Sequence, residues 1–212
     1  MEGKIMNIRD KDEQELFWSG DFGNSYLDRN NDKDMLAGKI SLFAQATKRL
    51  NPIHSVIELG CNRGLNAHAI KALYPNCEYT GVEIGDKAYA ALQENSSVDF
   101  SIFSSIYDVV AEKKYDLVLV AGVLIHLNPN KLSQVYSLVA QLSKSNVIFA
   151  EYYNPTPVAI EYRGHKNKLF KRDFAGEFME RHDFILRDYG FVYSRDPKFD
   201  YDDLTWFTME KK

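Results

Sequence analysis

The sequence predicts an α/β fold: a mostly parallel sheet with helices on both faces, closed by an antiparallel pair of strands. Three observations carry that prediction. Between residues 55 and 150, short β-branched runs alternate with helical patterns. The run YDLVLVA, Tyr115 to Ala121, is almost continuously apolar, as a strand buried on both faces must be. Beyond Arg181 two strand-like segments follow one another with no convincing helix between them, so they are expected to pair antiparallel on the sheet edge.

The elements follow in order. The opening thirty residues end in FWSGDFGNSYLDRN, which has no clean period, yet Phe17, Trp18, Phe22 and Tyr26 need burial. That segment reads as an ordered cap. From Asp32 to about Leu50, the residues Met35, Leu36, Ile40, Phe43 and Ala44 fall at helical spacing, and Asn51-Pro52 stops the helix. Residues 1–50 are therefore expected to form a lid and helix packed on a core of residues 51–212, a single domain overall. Ser55 to Leu59 is the first strand, and Leu65 to Leu73 a helix closed by Pro75. Glu78 to Glu83 is the second strand, followed by a helix through Ala88 and Leu92 and a third strand from Val98 to Phe103. After the fourth strand, YDLVLVA, a helix runs from Pro129 to Leu142 with proline in its first turn, where a missing donor costs nothing. Val147 to Ala150 is the fifth strand, ending at Glu151. A helix near Asp173 to Arg181 precedes the closing pair, Phe184 to Tyr193 and Leu204 to Glu210.

Composition excludes several classes of function. A net charge of -4 makes the chain a poor general nucleic-acid binder, because phosphate contacts need a basic surface. No run is long enough to span a bilayer, and the start does not read as a signal peptide. Cys61 and Cys77 are too few for a disulfide framework or a metal site, so no metal and a reduced cytoplasmic setting are expected.

The stretch VIELGCNRGLN joins the first strand to its helix. Gly60 and Gly64 let backbone approach a ligand, and Cys61 and Asn62 lie between them, ahead of a helix N-terminus with free donors. A dinucleotide fingerprint needs glycines at its first, third and sixth positions; here those are Gly60, Asn62 and Leu65. Glu58 suits a cationic ligand better than a pyrophosphate. Glu83 ends the second strand about twenty residues on, where a carboxylate takes ribose hydroxyls, and Ile84 follows it. A ribose, a positive charge and no phosphate describe S-adenosylmethionine, with Glu58 near its amino group. A phosphate-binding or purely structural strand-turn-helix is the bland alternative.

From about residue 50 to 212 the chain resembles class I S-adenosylmethionine-dependent methyltransferases. More narrowly, it resembles small methylases associated with the biosynthesis of pseudaminic acid and related surface polysaccharide sugars. FWSGDFGNSYLDRN, ELGCNRGLN, GVEIG, AGVLIHLNP, EYYNPTPVAIEYRG, LFKRDFAGE and DYGFVY carry that likeness over nearly the whole chain. It implies a Rossmann-like, seven-stranded sheet, and a sugar-pathway substrate without naming the acceptor. Two positions depart from the general pattern. Asn62 replaces the middle glycine, and Ser104-Ser105-Ile106 stands where many relatives carry an acid for the adenine amine.

Methyl transfer from a sulfonium requires alignment and, for a hydroxyl or ammonium acceptor, removal of a proton. His126, after the fourth strand, and Glu151, ending the fifth, are the candidate bases. The bland readings are a packing histidine and a capping glutamate. Ala121 and Gly122 lie beside the cofactor loop in this scheme, and Tyr152, Tyr153 and Asn154 are wall and hydrogen-bonding candidates. Asn154-Pro155 stands after the fifth strand rather than the fourth, which argues against a nucleobase or glutamine acceptor. YRGHKNKLFKR gathers Arg163, Lys171 and Arg172 beside Tyr162, cations suited to a phosphate or carboxylate on a nucleotide sugar or nonulosonate; a solvated basic loop is the alternative. Trp18, Tyr26 and Arg29 are expected to fold over the methionine end, Arg29 pairing its carboxylate. The partner is thus a small molecule, neither nucleic acid nor membrane. Rival readings are a small-metabolite or natural-product methyltransferase and a non-catalytic cofactor-binding partner in glycan assembly.

Overall fold

The computed structural model describes residues 10–29 and 35–212. Its strands are β1 (Ser55–Leu59), β2 (Glu78–Glu83), β3 (Phe100–Phe103), β4 (Tyr115–Ala121), β5 (Ser143–Glu151), β6 (Val158–Tyr162), β7 (His165–Lys171), β8 (Phe184–Phe191) and β9 (Thr205–Lys211). Helices are α1 (Glu13–Ser19), α2 (Asp21–Arg29), α3 (Leu36–Thr47), α4 (Leu65–Leu73), α5 (Asp86–Gln93), α6 (Leu132–Leu142) and α7 (Phe174–Arg181).

Seven strands form one sheet in the order β3-β2-β1-β4-β5-β9-β8. The first five are parallel, and β9 runs antiparallel between β5 and β8. The expected mostly parallel sheet with its closing antiparallel pair is present. Strand order reverses between β1 and β4, which opens a crevice at their carboxyl ends.

Alternation along the central strands divides two apolar layers. Ile57, Val118, Val120, Val147 and Phe149 face α6 and α7, through Val135, Tyr136, Val139, Phe174 and Phe178. Val56, Leu117, Leu119, Ile148 and Ala150 face α3 and α4, through Leu42, Phe43, Ala46, Ala67 and Ile70. This parity directs Glu58 to the α3–α4 side and Glu151 to the α6–α7 side.

Some boundaries differ from the pattern-based expectation. β5 begins at Ser143, four residues earlier than its apolar run, because β4 and β9 take up the backbone of that polar stretch. Pro129–Lys131 is a 3₁₀ turn capped by Asn128, and α6 proper starts after it. The N-terminal cap is two helices. Asp12 and Glu15 close a capping box on α1, the D-x-x-E signature of a helix start. YRGHKNKLFKR is no loop: β6 and β7 form an antiparallel hairpin outside the main sheet. Its two-residue turn places Arg163 at φ 50° and Gly164 at φ 84°, the positive pair of a type I′ turn. Lys168 Nζ on β7 donates to Glu13 Oε1 at 2.5 Å, and Gln14 Nε2 donates to the Asn167 carbonyl at 2.9 Å. Those contacts fasten α1 to the hairpin above the crevice.

Candidate active site

A cavity of about 470 Å³ lies at the carboxyl ends of β1, β2 and β4, roofed by α1, α2 and the hairpin tip. Its floor is the loop after β1. Gly60 and Asn62 stand at φ 75° and 52°. Asparagine tolerates that left-handed conformation, and Asn62 Oδ1 accepts from the Arg63 amide at 2.8 Å, which is why a third-position glycine is dispensable here. Gly60 has a packing reason as well, since a Cβ there would stand 2.7 Å from Val123 Cγ2. Gly64 is off the cavity wall; its missing side chain makes room for Leu92, Asn95 and Val98.

Glu83 is held at the cavity edge by three main-chain amides. Ile84 and Gly85 donate to Oε1 at 2.9 and 2.7 Å, and Asn62 donates to Oε2 at 2.8 Å. Burial pushes its pKa up while those donors oppose the rise. A carboxylate accepts roughly four hydrogen bonds, so one acceptor position remains for a ligand. Ile84, Ser104, Ser105 and Ile106 continue the wall on this side. Ser104 Oγ donates to the Ser105 carbonyl at 2.9 Å, and Ser105 Oγ accepts from the Tyr107 amide.

Cys61, Ala121 and Gly122 line the middle, and Glu58 lies below. Glu58, expected near the ligand's amino group, lines the cavity but is not freely offered. At 1% exposure, its Oε1 accepts from Asn66 Nδ2 and its Oε2 from the Tyr79 hydroxyl, both at 2.5 Å. Burial raises its pKa against both donors and Lys39. Glu58 meets the cavity from within a closed network.

Trp18, Tyr26, His126, Tyr152, Tyr162 and Arg163 also line the cavity. His126 packs 4.4 Å from the Trp18 ring and 5.0 Å from Tyr162. Its Nδ1 lies 2.7 Å from the Lys168 carbonyl, which can only accept, so Nδ1 carries the proton and Nε2 keeps a lone pair. Burial lowers its pKa to about 4, so the ring is neutral at ordinary pH. Burial raises the Tyr26 phenol to about 12.

Glu151 is placed elsewhere. Its oxygens accept from the amides of Val123, Leu124 and Ile125 at 3.0, 3.0 and 3.4 Å, and it is absent from the cavity wall. It caps the turn after β4. Burial lifts its pKa to about 8, so its contribution to stability is largest below about pH 4.5 and declines as pH rises towards 8. Glu151→Ala is expected to lower stability by about 3 kcal/mol, because buried amides lose their acceptor. Chemical denaturation measures that loss; Glu151→Gln, keeping one acceptor oxygen, is expected to lose less.

Four other expected substrate contacts also fall outside the wall. Tyr153 is exposed against Phe207, and Asn154 Nδ2 donates to the Thr156 carbonyl. Lys171 lies over the Tyr152 ring, and Arg172 pairs with Glu177 at 3.3 Å. The Arg29 side chain lies outside the described residues. Sequence reasoning missed Lys39, Asn66, Tyr201 and Asp202, which line the cavity. The Tyr152 hydroxyl donates to Asp202 at 2.6 Å. Only partners far along the chain reveal these residues. Among the described residues no group of His, Cys, Asp and Glu could hold a metal, and no helix is long and apolar enough to cross a membrane.

Residues 57–149 match the family model of a methyltransferase domain. A comparison with curated protein sequences finds no match. Among similar solved structures, the magnesium protoporphyrin IX methyltransferase of Synechocystis PCC 6803 with bound S-adenosylmethionine is 14% identical, with a TM-score of 0.65, covering 96% of this chain and 100% of that one. The N-methyltransferase NodS from Bradyrhizobium japonicum WM9 is 13% identical, with a TM-score of 0.64 and coverages of 86% and 99%. The plantazolicin methyltransferase BpumL, in complex with S-adenosylhomocysteine, is 14% identical, with a TM-score of 0.64 and 94% of each chain covered. With the sheet order and the crevice beside β1, these likenesses show that the chain has the fold of class I methyltransferases, and residues 57–149 match the model of a methyltransferase domain.

Proposed function

We propose that the protein transfers a methyl group from S-adenosylmethionine to an oxygen or nitrogen of a sugar, a sugar nucleotide or a nonulosonic-acid-type precursor of surface glycan. The observation that carries the cofactor half is Glu83, a carboxylate immobilised by three amides with one acceptor position left for a ribose hydroxyl. Ser104 to Ile106 would flank the adenine, and Gly60 to Asn62 the amino-acid end. When bound, the cofactor supplies an electrophilic methyl group on sulfur.

The chain's residues supply alignment, water exclusion and a proton acceptor. Trp18 and Tyr26 close the roof, and His126 Nε2 takes the proton of the acceptor hydroxyl or ammonium. Arg163 lines the cavity and suits a phosphate or carboxylate of the acceptor, which supports the anionic sugar class. The free, buried thiols of Cys61 and Cys77 fit a reducing, cytoplasmic setting.

Calorimetry with S-adenosylmethionine and S-adenosylhomocysteine tests the cofactor half; binding of a nicotinamide dinucleotide instead would sink it. Methyl transfer to a panel of nucleotide-linked sugars tests the acceptor half. The aromatic wall of Trp18, Tyr26, Tyr152 and Tyr162 favours a second reading, a small-metabolite or natural-product acceptor, and planar aromatic compounds in the same panel separate the two.

A further inference from the structure

Lys39 is a buried cation with no part in the proton transfer. It lies in the first turn of α3, three and four residues ahead of Leu42 and Phe43, and so shares their inward face. Only 6% of it is exposed. Its ammonium donates to Asn66 Oδ1 at 2.7 Å and to the Tyr201 hydroxyl at 2.8 Å. Asn66 in turn donates to Glu58. An ammonium has three N–H donors, and among the described residues the third finds no protein acceptor. No described carboxylate lies within ion-pair distance of it either; Glu58 is reached only through the Asn66 amide. Burying an ammonium without a direct counter-ion is costly. Lys39, Asn66 and Tyr201 nevertheless line the cavity whose wall also holds Gly60 and Ala121.

We propose that Lys39 is the anchor for the ligand's carboxylate: its third N–H pairs with the carboxylate of the amino-acid end of S-adenosylmethionine. Glu58, one amide away, balances the ligand's ammonium through the same network. This rests on the cofactor reading above, and it assigns to Lys39 the task that the sequence suggested for Arg29. A merely structural lysine would tie α3 to α4 and to the segment carrying Tyr201, and would not distinguish ligands by their carboxylate.

The test uses two probes, S-adenosylhomocysteine and its decarboxylated analogue, which keeps the amine. Lys39→Gln retains a donor for Asn66 but removes the charge. The variant is expected to bind S-adenosylhomocysteine about ten- to a hundredfold more weakly than wild type, the range for losing a charged hydrogen bond, and the decarboxylated analogue within about twofold. Lys39→Arg is expected to recover most of the affinity for the carboxylate-bearing probe. Equal losses for both probes, or none for either, would overturn the assignment while leaving the cofactor reading intact. Wild-type protein binding neither probe would remove both. If Lys39→Gln fails to fold, Lys39→Arg with the two probes still decides, because a guanidinium that discriminates against the decarboxylated analogue as wild type does supports the pairing and one that does not refutes it.

Discussion

Glu83→Gln is expected to weaken binding of S-adenosylhomocysteine by about a hundredfold and to lower stability by about 2 kcal/mol. Each oxygen of Glu83 receives at least one main-chain N–H, so either orientation of a glutamine amide turns an NH₂ group towards a donor. The loop between β1 and α4 then loses its tie through Asn62, and the ribose loses its acceptor. Titration calorimetry and chemical denaturation read the two effects separately. On the proposed reading one side chain performs both tasks, so they should fall together. A Glu83→Gln protein with lowered stability and undiminished affinity would show that the carboxylate organises the loop without touching the ligand.

That dual task shows what was legible beforehand. An acid ending the second strand, about twenty residues beyond the first turn, pointed to a ribose. Nothing local showed that the same acid would also clamp the turn at Asn62, since that contact depends on how β1 and β2 pair. The central strands were readable because their causes are local. β1 and β2 are short segments that follow prolines and alternate with helical patterns, and the apolar run of β4 is long enough to require burial on both faces. The hairpin β6–β7 was not readable in the same way. Its cations suggested an anion-binding segment or a solvated loop, yet Lys168 is buried because Glu13 and Gln14, more than 150 residues away, supply its acceptors. Charge in a sequence says exposed unless a partner is known, and these partners lie on α1.

Glu151 illustrates the converse error. An acid at a strand end reads alike whether it faces a ligand or caps a neighbouring turn. Parity along β5 separates the cases: Ala150 joins the α3–α4 layer and Phe149 the α6–α7 layer, so Glu151 turns away from the crevice towards the amides of Val123, Leu124 and Ile125. Choosing between those faces required the sheet order. His126 escapes this ambiguity, because the turn that Glu151 caps is the one that carries it to the cavity.

His126→Asn is therefore the variant that isolates the proton transfer. It is expected to reduce the rate of methyl transfer by about a hundred- to ten-thousandfold, the range for a general base, with affinity for S-adenosylhomocysteine within about twofold of wild type. Asparagine can still donate to the Lys168 carbonyl and fill part of the space beside Trp18, so the roof is kept while the Nε2 lone pair is lost. The pH profile supplies a second signature. With its pKa lowered to about 4, His126 is already unprotonated at neutral pH, so wild-type turnover on this account stays level down to about pH 5 and falls below it. The same shift makes the folded protein lose stability as pH drops from about 6.5 towards 4, because the unfolded chain takes up the proton first, and that slope should be missing from His126→Asn. A variant with unchanged turnover and only the stability slope removed would make His126 a packing residue of the roof, and would move the search for the base to Asp202, the cavity carboxylate that receives the Tyr152 hydroxyl.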